Sequence, residues 1–226
     1  VAPHALGVSA AGAFLGALAS ALLVFFVSLY AGASRLTIVL AGMALTSIFT
    51  AGMNAILIFN PDAYVNSSGF LVGSLSGVMA SELVIPGCAI LVGLLVAAGQ
   101  GTRLNILSLG DEGAHALGLN VRRTRLTLLL LAALLAGAAV CFAGLIGFVG
   151  LVVPHIVRFF VGHDNRRVLL LSPIAGAIVV CACDTVARTL FAPFEIPVGI
   201  CMALIGGPFF IYLILRSRKG EVDGRS

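Results

Sequence analysis

Long apolar runs separated by short polar interruptions dominate this chain. The runs cover residues 6–30, 36–59, 83–98, 126–143, 168–190 and 198–215. As a helix, the run 36–59 would extend about 36 Å, enough to cross the roughly 30 Å hydrocarbon core of a bilayer with some tilt. Unbroken apolar runs favour helices over the alternating strands of a membrane barrel. The pattern therefore predicts an all-α, polytopic helical membrane protein.

Two further segments are apolar but rich in glycine. In residues 62–81, Gly69, Gly73 and Gly77 recur at helical spacing, which predicts a short helix packed at the membrane edge. Residues 144–160 carry a glycine at every third position up to Gly150 and then Pro154, which predicts a short, closely packed segment. Counting this last segment, the layout has about seven spans.

The composition confirms the membrane class. Hydrophobic residues make up 60% of the chain, charged residues 10%, and the mean hydropathy is +1.16, far from a soluble domain. A net charge of +4 would permit a nucleic-acid partner, but the basic residues lie in short loops and at the tail, without interleaved aromatic residues. No nucleic acid is expected. The five cysteines lie in apolar runs and are interpreted as packing residues, not as a disulfide framework.

The basic residues indicate the orientation. If the loop 101–125 is cytoplasmic, alternation of the spans places all 13 Lys and Arg residues except Arg188 on that side. This predicts a cytoplasmic C-terminus and marks Arg188 as the exception.

One predicted helix, 36–59, carries a polar stripe. Thr46, Thr50 and Asn54 recur at i, i+4 and i+8, with Ser47 beside them. The stripe could line an aqueous translocation path. Small polar residues also commonly form hydrogen bonds between membrane helices, and that alternative stays open.

Catalytic chemistry has little support in the sequence. His155, His163 and Asp164 could be considered as metal ligands, but they lie across a helix end with no matching carboxylate cluster. There is no Ser/His/Asp set, phosphate-binding glycine loop or pair of intramembrane acids. We therefore expect no catalytic residue, metal or cofactor in this chain.

Three motifs carry a family resemblance. They are NILSLGDEGAHALGLNVRR (105–123), GLIGFVGLVVPHIVRFFVGHDNRR (144–167) and DTVARTLFAPFEIPVGICMALIGGPFF (184–210). Together they resemble the permease subunits of the iron-siderophore, heme and vitamin B12 family of ABC importers, and LGVSAAGAFLGA (6–17) is similar to another family segment. The resemblance implies a permease of the bacterial cytoplasmic (inner) membrane. Its implied partners are ATP-binding cassette subunits that hold ATP and Mg²⁺, a periplasmic or lipid-anchored binding protein, and a second permease copy.

The resemblance also assigns residues. The family segment matching 109–119 forms paired short cytoplasmic helices that dock into a groove of the cassette, which gives an ATPase-coupling set of Leu109, Gly110, Asp111, Glu112, Ala114, Leu117, Gly118 and Leu119. Ala114, Ala116 and Leu117 would seat in the groove, and the two acids would favour the positive end of a helix dipole. An ordinary solvated loop is the alternative.

On the opposite face, the family binds its substrate-loaded partner through salt bridges to permease arginines. The segment DTVAR places Arg188 at such a docking position, with Glu195 nearby. An internal i, i+4 pair between Arg188 and Asp184 is the alternative.

The chain departs from the family in length. Family members have ten spans, so we expect residues 1–226 to be a single transmembrane permease domain that lacks the first helices, with residue 1 a truncation point. The favoured function is import of a ferric siderophore, or of heme or cobalamin. A non-transporting structural membrane subunit or a membrane enzyme is the alternative.

Overall fold

The computed structural model describes residues 3–30, 35–60, 68–190 and 195–223, and within these ranges the chain is helical, without strands. The prediction of an all-α protein is confirmed. In chain order the helices are α1 (Pro3–Tyr30), α2 (Arg35–Phe59), α3 (Ala80–Ala98), α4 (Gly101–Ser108), α5 (Asp111–Ala116), α6 (Val121–Ala143), α7 (Val149–Val161), α8 (Asn165–Leu190) and α9 (Val198–Asp223). Of the short helix predicted in 62–81, residues 68–72 are helical, residues 73–79 are not, and residues 62–67 lie outside the described ranges.

The helices vary in whether they can cross a bilayer. Among the described residues, three are long and apolar enough: Leu36–Phe59, Val121–Ala143 and Asn165–Leu190. The helices α3 and α4 make a fourth candidate if they count as one span bent by 54°. Shorter apolar helical stretches are Phe14–Val27, Val149–Val161 and Val198–Leu213. The predicted seven spans therefore require each shorter stretch to cross as well.

Two predicted boundaries are wrong. The helix α6 begins at Val121 and not at residue 126, because the Asn120 side chain accepts a hydrogen bond from the Arg123 amide (3.0 Å) and caps the helix start. The stretch 101–125, predicted as one loop, contains α4, α5 and the first turn of α6. The paired short helices implied for 109–119 are α4 and α5, and the first of them precedes Leu109.

The helices α1, α3 and α6 pack side by side. Gly137 of α6 faces Phe14 of α1 so closely that a Cβ there would lie 3.1 Å from the phenyl ring, and Gly93 of α3 faces Leu135 of α6. Small residues let membrane helices approach in this way. The helix α2 packs mainly on α1, and only 6% of its spanning window is buried. Its outward surface is therefore apolar and largely uncovered.

The other half of the bundle is formed by α7, α8 and α9. Val153 and Val157 of α7 and Val168 of α8 form one buried cluster near the start of α8. A second buried cluster, at the other end of α8, consists of Cys183, Ala187, Val198, Cys201 and Met202. Two of the five cysteines are thus packing residues as predicted, whereas Cys88 and Cys181 lie exposed on the helix surface.

Beside the second cluster, three backbone segments meet with almost no side chain between them. Three backbone hydrogen bonds join them: Leu145 N to Phe70 O (2.9 Å), Ser74 N to Ala143 O (3.1 Å) and Gly199 N to Gly73 O (3.1 Å). A Cβ on Gly144 would lie 2.5 Å from the Phe70 carbonyl oxygen, and one on Gly199 would overlap the Val72 carbonyl. We call Gly73, Gly144 and Gly199 the glycine junction.

The opposite end of the bundle carries the positive charge. It comprises α4, α5, the start of α6, the end of α7 and the start of α8. Its arginines are Arg103, Arg122, Arg123, Arg125, Arg158, Arg166 and Arg167. We call this the basic end. The structure describes the backbone but not the side chains at Arg35, Arg216, Arg218 and Lys219, which were predicted for the same side, and Arg225 lies outside the described ranges.

Candidate functional site

The helix α5 projects from the basic end as a single short helix between two glycines. Gly110 precedes it with φ of 93°, and Gly118 follows it with φ of 76°, both in the region that side chains disfavour. Asp111 and Glu112 occupy its first turn, where the helix dipole favours negative charge, as predicted. The turns that isolate α5 therefore depend on glycine.

The two leucines that flank α5 are exposed, although they stand in the most polar part of the molecule and beside exposed polar residues of the helix itself. Leu109 is 65% exposed and Leu117 is 61% exposed. Ala116 is also exposed. Ala114, by contrast, is completely buried within the chain and offers no surface to a partner. The prediction that Ala114 seats in a cassette groove does not fit this position, because Ala114 is covered by the chain itself, whereas Leu117 at the C-cap is exposed.

An ion pair joins α5 to α6. The Arg125 guanidinium donates to the Asp111 carboxylate at 2.6 Å. The Arg125 side chain is 14% exposed and that of Asp111 52% exposed. Solvent therefore screens the pair from one side, and its contribution to stability is modest, on the order of 1 kcal/mol or less.

A different contact joins α4 to α8. The Asn105 amide nitrogen donates to the Asp164 carboxylate (2.9 Å), and the Asn105 amide oxygen accepts from the backbone N–H of Asn165 (2.9 Å). Asp164 in turn accepts from the Arg166 amide (3.0 Å) and so caps α8. We call Asn105, Asp164 and Asn165 the clamp. Asp164, considered from the sequence as a metal ligand, is engaged here as a helix cap.

The clamp affects the charge of its carboxylate. The Asn105 hydrogen bond, followed by the Arg166 amide, holds the pKa of Asp164 below its ordinary value. Both bonds favour the ionised form.

Close backbone approach accompanies the clamp. A Cβ on Gly101, the first residue of α4, would lie 2.7 Å from the Arg166 Cα. Only glycine therefore lets the start of α4 lie against the start of α8.

A cleft of about 390 Å³ opens beside α4 and reaches the clamp, since Asn165 is among its lining residues. Its lining includes Leu104 and Leu107 of α4, Leu128 of α6, and Arg125 and Arg158. At this level α4 is separated from α6, whereas it is in direct contact with α8.

The predicted polar stripe lies on α2, and all four of its members are exposed: Thr46, Ser47, Thr50 and Asn54. The hydroxyls of Thr46 and Ser47 donate to carbonyls of their own helix, those of Gly42 (2.8 Å) and Met43 (3.0 Å). These two residues thus make no hydrogen bond to another described helix, and the stripe faces outward from the chain.

Arg188 and Glu195 lie near the glycine junction. Arg188 Nε donates to the Asp184 carboxylate at 2.8 Å, so the internal pair considered in the sequence does form. Glu195 is exposed and accepts a hydrogen bond from the Ser76 hydroxyl (2.6 Å). The predicted docking residues are therefore at the end opposite α5, and each has a partner within the chain.

Sequence reasoning missed the clamp and the glycine junction. Asn105 and Asp164 are 59 residues apart, and a lone Asn at the end of an apolar stretch carries no signal of its partner. Gly73 and Gly144 were predicted to serve close packing and Gly199 had no predicted role, whereas all three mark contacts of one backbone with another.

Comparison with known proteins shows which family this chain matches. Residues 4–216 match the model of the FecCD transport family. Over 215 residues the chain is 42% identical to the hemin transport system permease protein HmuU of Yersinia pestis, covering 92% of this chain and 63% of the relative. It is 40% identical over 209 residues to the cobalamin import system permease protein BtuC of Halobacterium salinarum, covering 92% of this chain and 56% of that protein.

A third relative is the iron(3+)-hydroxamate import system permease protein FhuB of Bacillus subtilis, 39% identical over 84% of this chain and 49% of the relative. The chain thus spans about half to two thirds of the length of these relatives. Among solved structures, an inward-facing metal-chelate type ABC transporter matches with a TM-score of 0.77 and 29% identity, over 96% of this chain and 76% of that one.

Proposed function

The chain belongs to the FecCD transport family, and from this premise we propose that it forms the membrane core of an ABC importer permease that carries a ferric siderophore, heme or cobalamin inward. The observation that carries the proposal is the pair of exposed leucines that flank α5 at the basic end, Leu109 and Leu117. Exposed leucines outside the apolar spans favour a protein partner. We assign that partner as an ATP-binding cassette subunit, which holds ATP and Mg²⁺.

In this proposal the basic end faces the cytoplasm. Its seven described arginines fit the excess of positive charge on the cytoplasmic side of membrane proteins. The glycine junction and Arg188 would then face the outside, and the C-terminus the cytoplasm.

The coupling set is refined by burial. Leu109, Ala116 and Leu117 supply apolar contact, Asp111 and Glu112 stand at the helix start, and Gly110, Gly118 and Leu119 shape the turns. Ala114 supports α5 from inside. When the cassettes close on ATP and reopen, α5 would follow them, and the spans would tilt between two states.

The outward face of α2 is proposed as the translocation surface. Thr46, Ser47, Thr50 and Asn54 form a polar strip on an otherwise apolar helix whose surface is little covered by this chain. A second permease copy facing this strip would enclose a polar path between the two.

Arg188 is proposed to receive the substrate-loaded binding protein, with Glu195 beside it. Asp184 occupies only Nε of the guanidinium, and neither terminal nitrogen is hydrogen-bonded to any other described residue. Since Arg has five donors in a planar fork, an acidic residue of a partner could bind without displacing Asp184.

Copurification tests the coupling assignment. With the complete permease, Leu117→Arg should abolish retention of the cassette, because a charge would enter an apolar contact. Leu190→Arg is the matched control, since Leu190 is 71% exposed at the opposite end. Equal retention of the cassette by both variants would contradict the assignment.

Uptake tests the substrate class. Permease, cassette and binding protein reconstituted in liposomes would be supplied in turn with ferric hydroxamate, hemin and cobalamin. ATP-dependent accumulation of one of the three is expected, and accumulation of none would contradict importer function.

A further inference from the structure

The two short helices of the basic end have different anchors. The helix α4 is fixed to α8 by the two reciprocal hydrogen bonds of the clamp, both 2.9 Å long, and by the close approach of Gly101 to Arg166. Both polar ends of one amide are used, so Asn105 has a defined orientation against the start of α8.

The attachment to α6 is looser. Between α4 and α6 lies the cleft of about 390 Å³, and the contact of α5 with α6 includes the ion pair of Arg125 with Asp111, whose carboxylate is half exposed. Movement of α4 is thus more constrained relative to α8 than relative to α6.

The helix α8 reaches from the clamp to the glycine junction. It is helical throughout residues 165–190, although it contains Pro173. Val168 packs in the cluster near its start, and Cys183 and Ala187 pack near its end against Met202, with Leu75 and Ile146 of the junction segments alongside. One packed element therefore joins the basic end to the junction.

We propose that the clamp makes α4 and α8 a single mechanical unit, with Asn105 as its positioning residue. Movement of the coupling helices is then delivered through α8 to the glycine junction, and not through α6. This inference rests on the proposed function. It names a continuous packed path between the two ends, and chains of packed side chains, hydrogen bonds and rigid helices can carry coupling between distant sites.

The test follows nucleotide-driven change at both ends without needing the transported substrate. The complete permease with its cassette would be placed in nanodiscs, and hydrogen exchange would be compared between the nucleotide-free state and the state trapped with ATP and vanadate. In the unaltered complex, exchange should change both in residues 109–119 and at the junction amides of Ser74, Leu145 and Gly199.

The decisive variant is Asn105→Asp, which keeps the side-chain volume but places a second carboxylate beside that of Asp164, so that the two like charges repel. We expect the nucleotide-dependent change in hydrogen exchange at the junction to become at least about fivefold smaller. The change in hydrogen exchange in residues 109–119 should persist, and the cassette should still copurify. A residue with a merely structural role would alter both ends together.

Two matched controls should keep the junction response. Asp164→Asn retains a side-chain oxygen that can accept from Asn105 and from the Arg166 amide. Gln100→Leu removes the hydrogen bond that Arg103 donates to Gln100 at the start of α4, and it leaves the clamp intact. If Asn105→Asp does not assemble, the double variant Asn105→Asp/Asp164→Asn is tested in its place. The amide of residue 164 then donates to the carboxylate of residue 105, which should restore assembly and at least half of the change in hydrogen exchange at the junction.

The outcomes separate the two claims. A cassette that never copurifies with the unaltered permease would overturn the proposed function and this inference with it. A retained cassette with an undiminished junction response in Asn105→Asp, or with no junction response in the unaltered complex, would overturn the inference alone.

Discussion

The basic end and the glycine junction lie at opposite ends of α8 and are held together by different groups. At the basic end, side chains make the connections: Asn105 to Asp164 and Arg125 to Asp111. At the junction, backbone amides bond to backbone carbonyls, and glycine is required because a Cβ would occupy the space of a carbonyl group.

This difference bears on what each end can do. The Arg125–Asp111 pair is in contact with water and can exchange partners at small cost, so α5 can follow a moving subunit, whereas the part-buried clamp holds α4 on α8. Backbone segments in direct contact allow no such adjustment, because interiors packed at this density are displaced as a body. The junction therefore suits a rigid part that is moved as a whole.

The largest loss of stability is expected from a substitution at Gly199. Gly199→Ala places a methyl group on the Val72 carbonyl, so we expect loss of at least about 3 kcal/mol of stability or failure to assemble. Thermal unfolding of the purified permease measures the effect. Gly207→Ala in the same helix is the control, since its Cβ would meet nothing within 4 Å. Equal stability of the two variants would contradict the account of the junction.

A smaller effect is expected for the one close backbone approach of the basic end. Gly101→Ala would set a Cβ 2.7 Å from the Arg166 Cα and push α4 away from α8, at a cost of about 1–3 kcal/mol. The same unfolding assay applies, with Gly99→Ala as the control, because its nearest neighbour would be at 3.4 Å. A Gly101→Ala variant as unstable as Gly199→Ala would remove the contrast between the two ends.

The ion pair of Arg125 and Asp111 should contribute less to stability than either glycine contact. Asp111→Asn is expected to lower stability by about 1 kcal/mol or less, and the difference should shrink as salt rises from about 0.05 to 1 M. Glu112→Gln, on the same turn, serves as the control because Glu112 has no ion pair with a described residue. A loss independent of salt would show that Arg125 and Asp111 are more buried than the structure indicates.

The smallest effect is a change in acid sensitivity. Because the folded protein holds the pKa of Asp164 below its ordinary value of 3.8, the ionised carboxylate stabilises the fold above that value, and this contribution is lost as pH falls through the lowered pKa. Asp164→Asn should therefore lose less stability than the unaltered protein on acidification from about pH 5 to 3. Asn105→Ala should have a weaker effect of the same sign, and parallel acid profiles for all three proteins would contradict the assignment.

Much of the fold could be predicted because its signals are local. An apolar run of membrane length predicts a spanning helix wherever it lies. The resemblance implied short helices in 109–119, and Asp111 and Glu112 agree with a helix start there because the helix dipole favours acids. The start of α6 was placed late because Arg122 to Arg125 suggested a loop, whereas the Asn120 cap outweighed their polarity.

The rest depended on contacts between distant parts of the chain. No spacing rule pairs Asn105 with Asp164 or places the Val72 carbonyl against Gly199. The inward position of Ala114 was missed for a related reason, since a six-residue helix is too short to show an apolar period. Phe148, with φ of 64°, likewise adopts a left-handed conformation that nothing in its identity suggests.

In the proposed importer, the exposed leucines that flank α5 form the surface on which the ATPase acts. Photocrosslinking tests it most directly: a photoreactive phenylalanine analogue would replace Leu117 in one complex and Leu190 in another, and the crosslinked partners would be identified. The account predicts a covalent adduct with the cassette from position 117 and none from position 190. A cassette adduct from position 190, or none from 117 in an assembled complex, would contradict it.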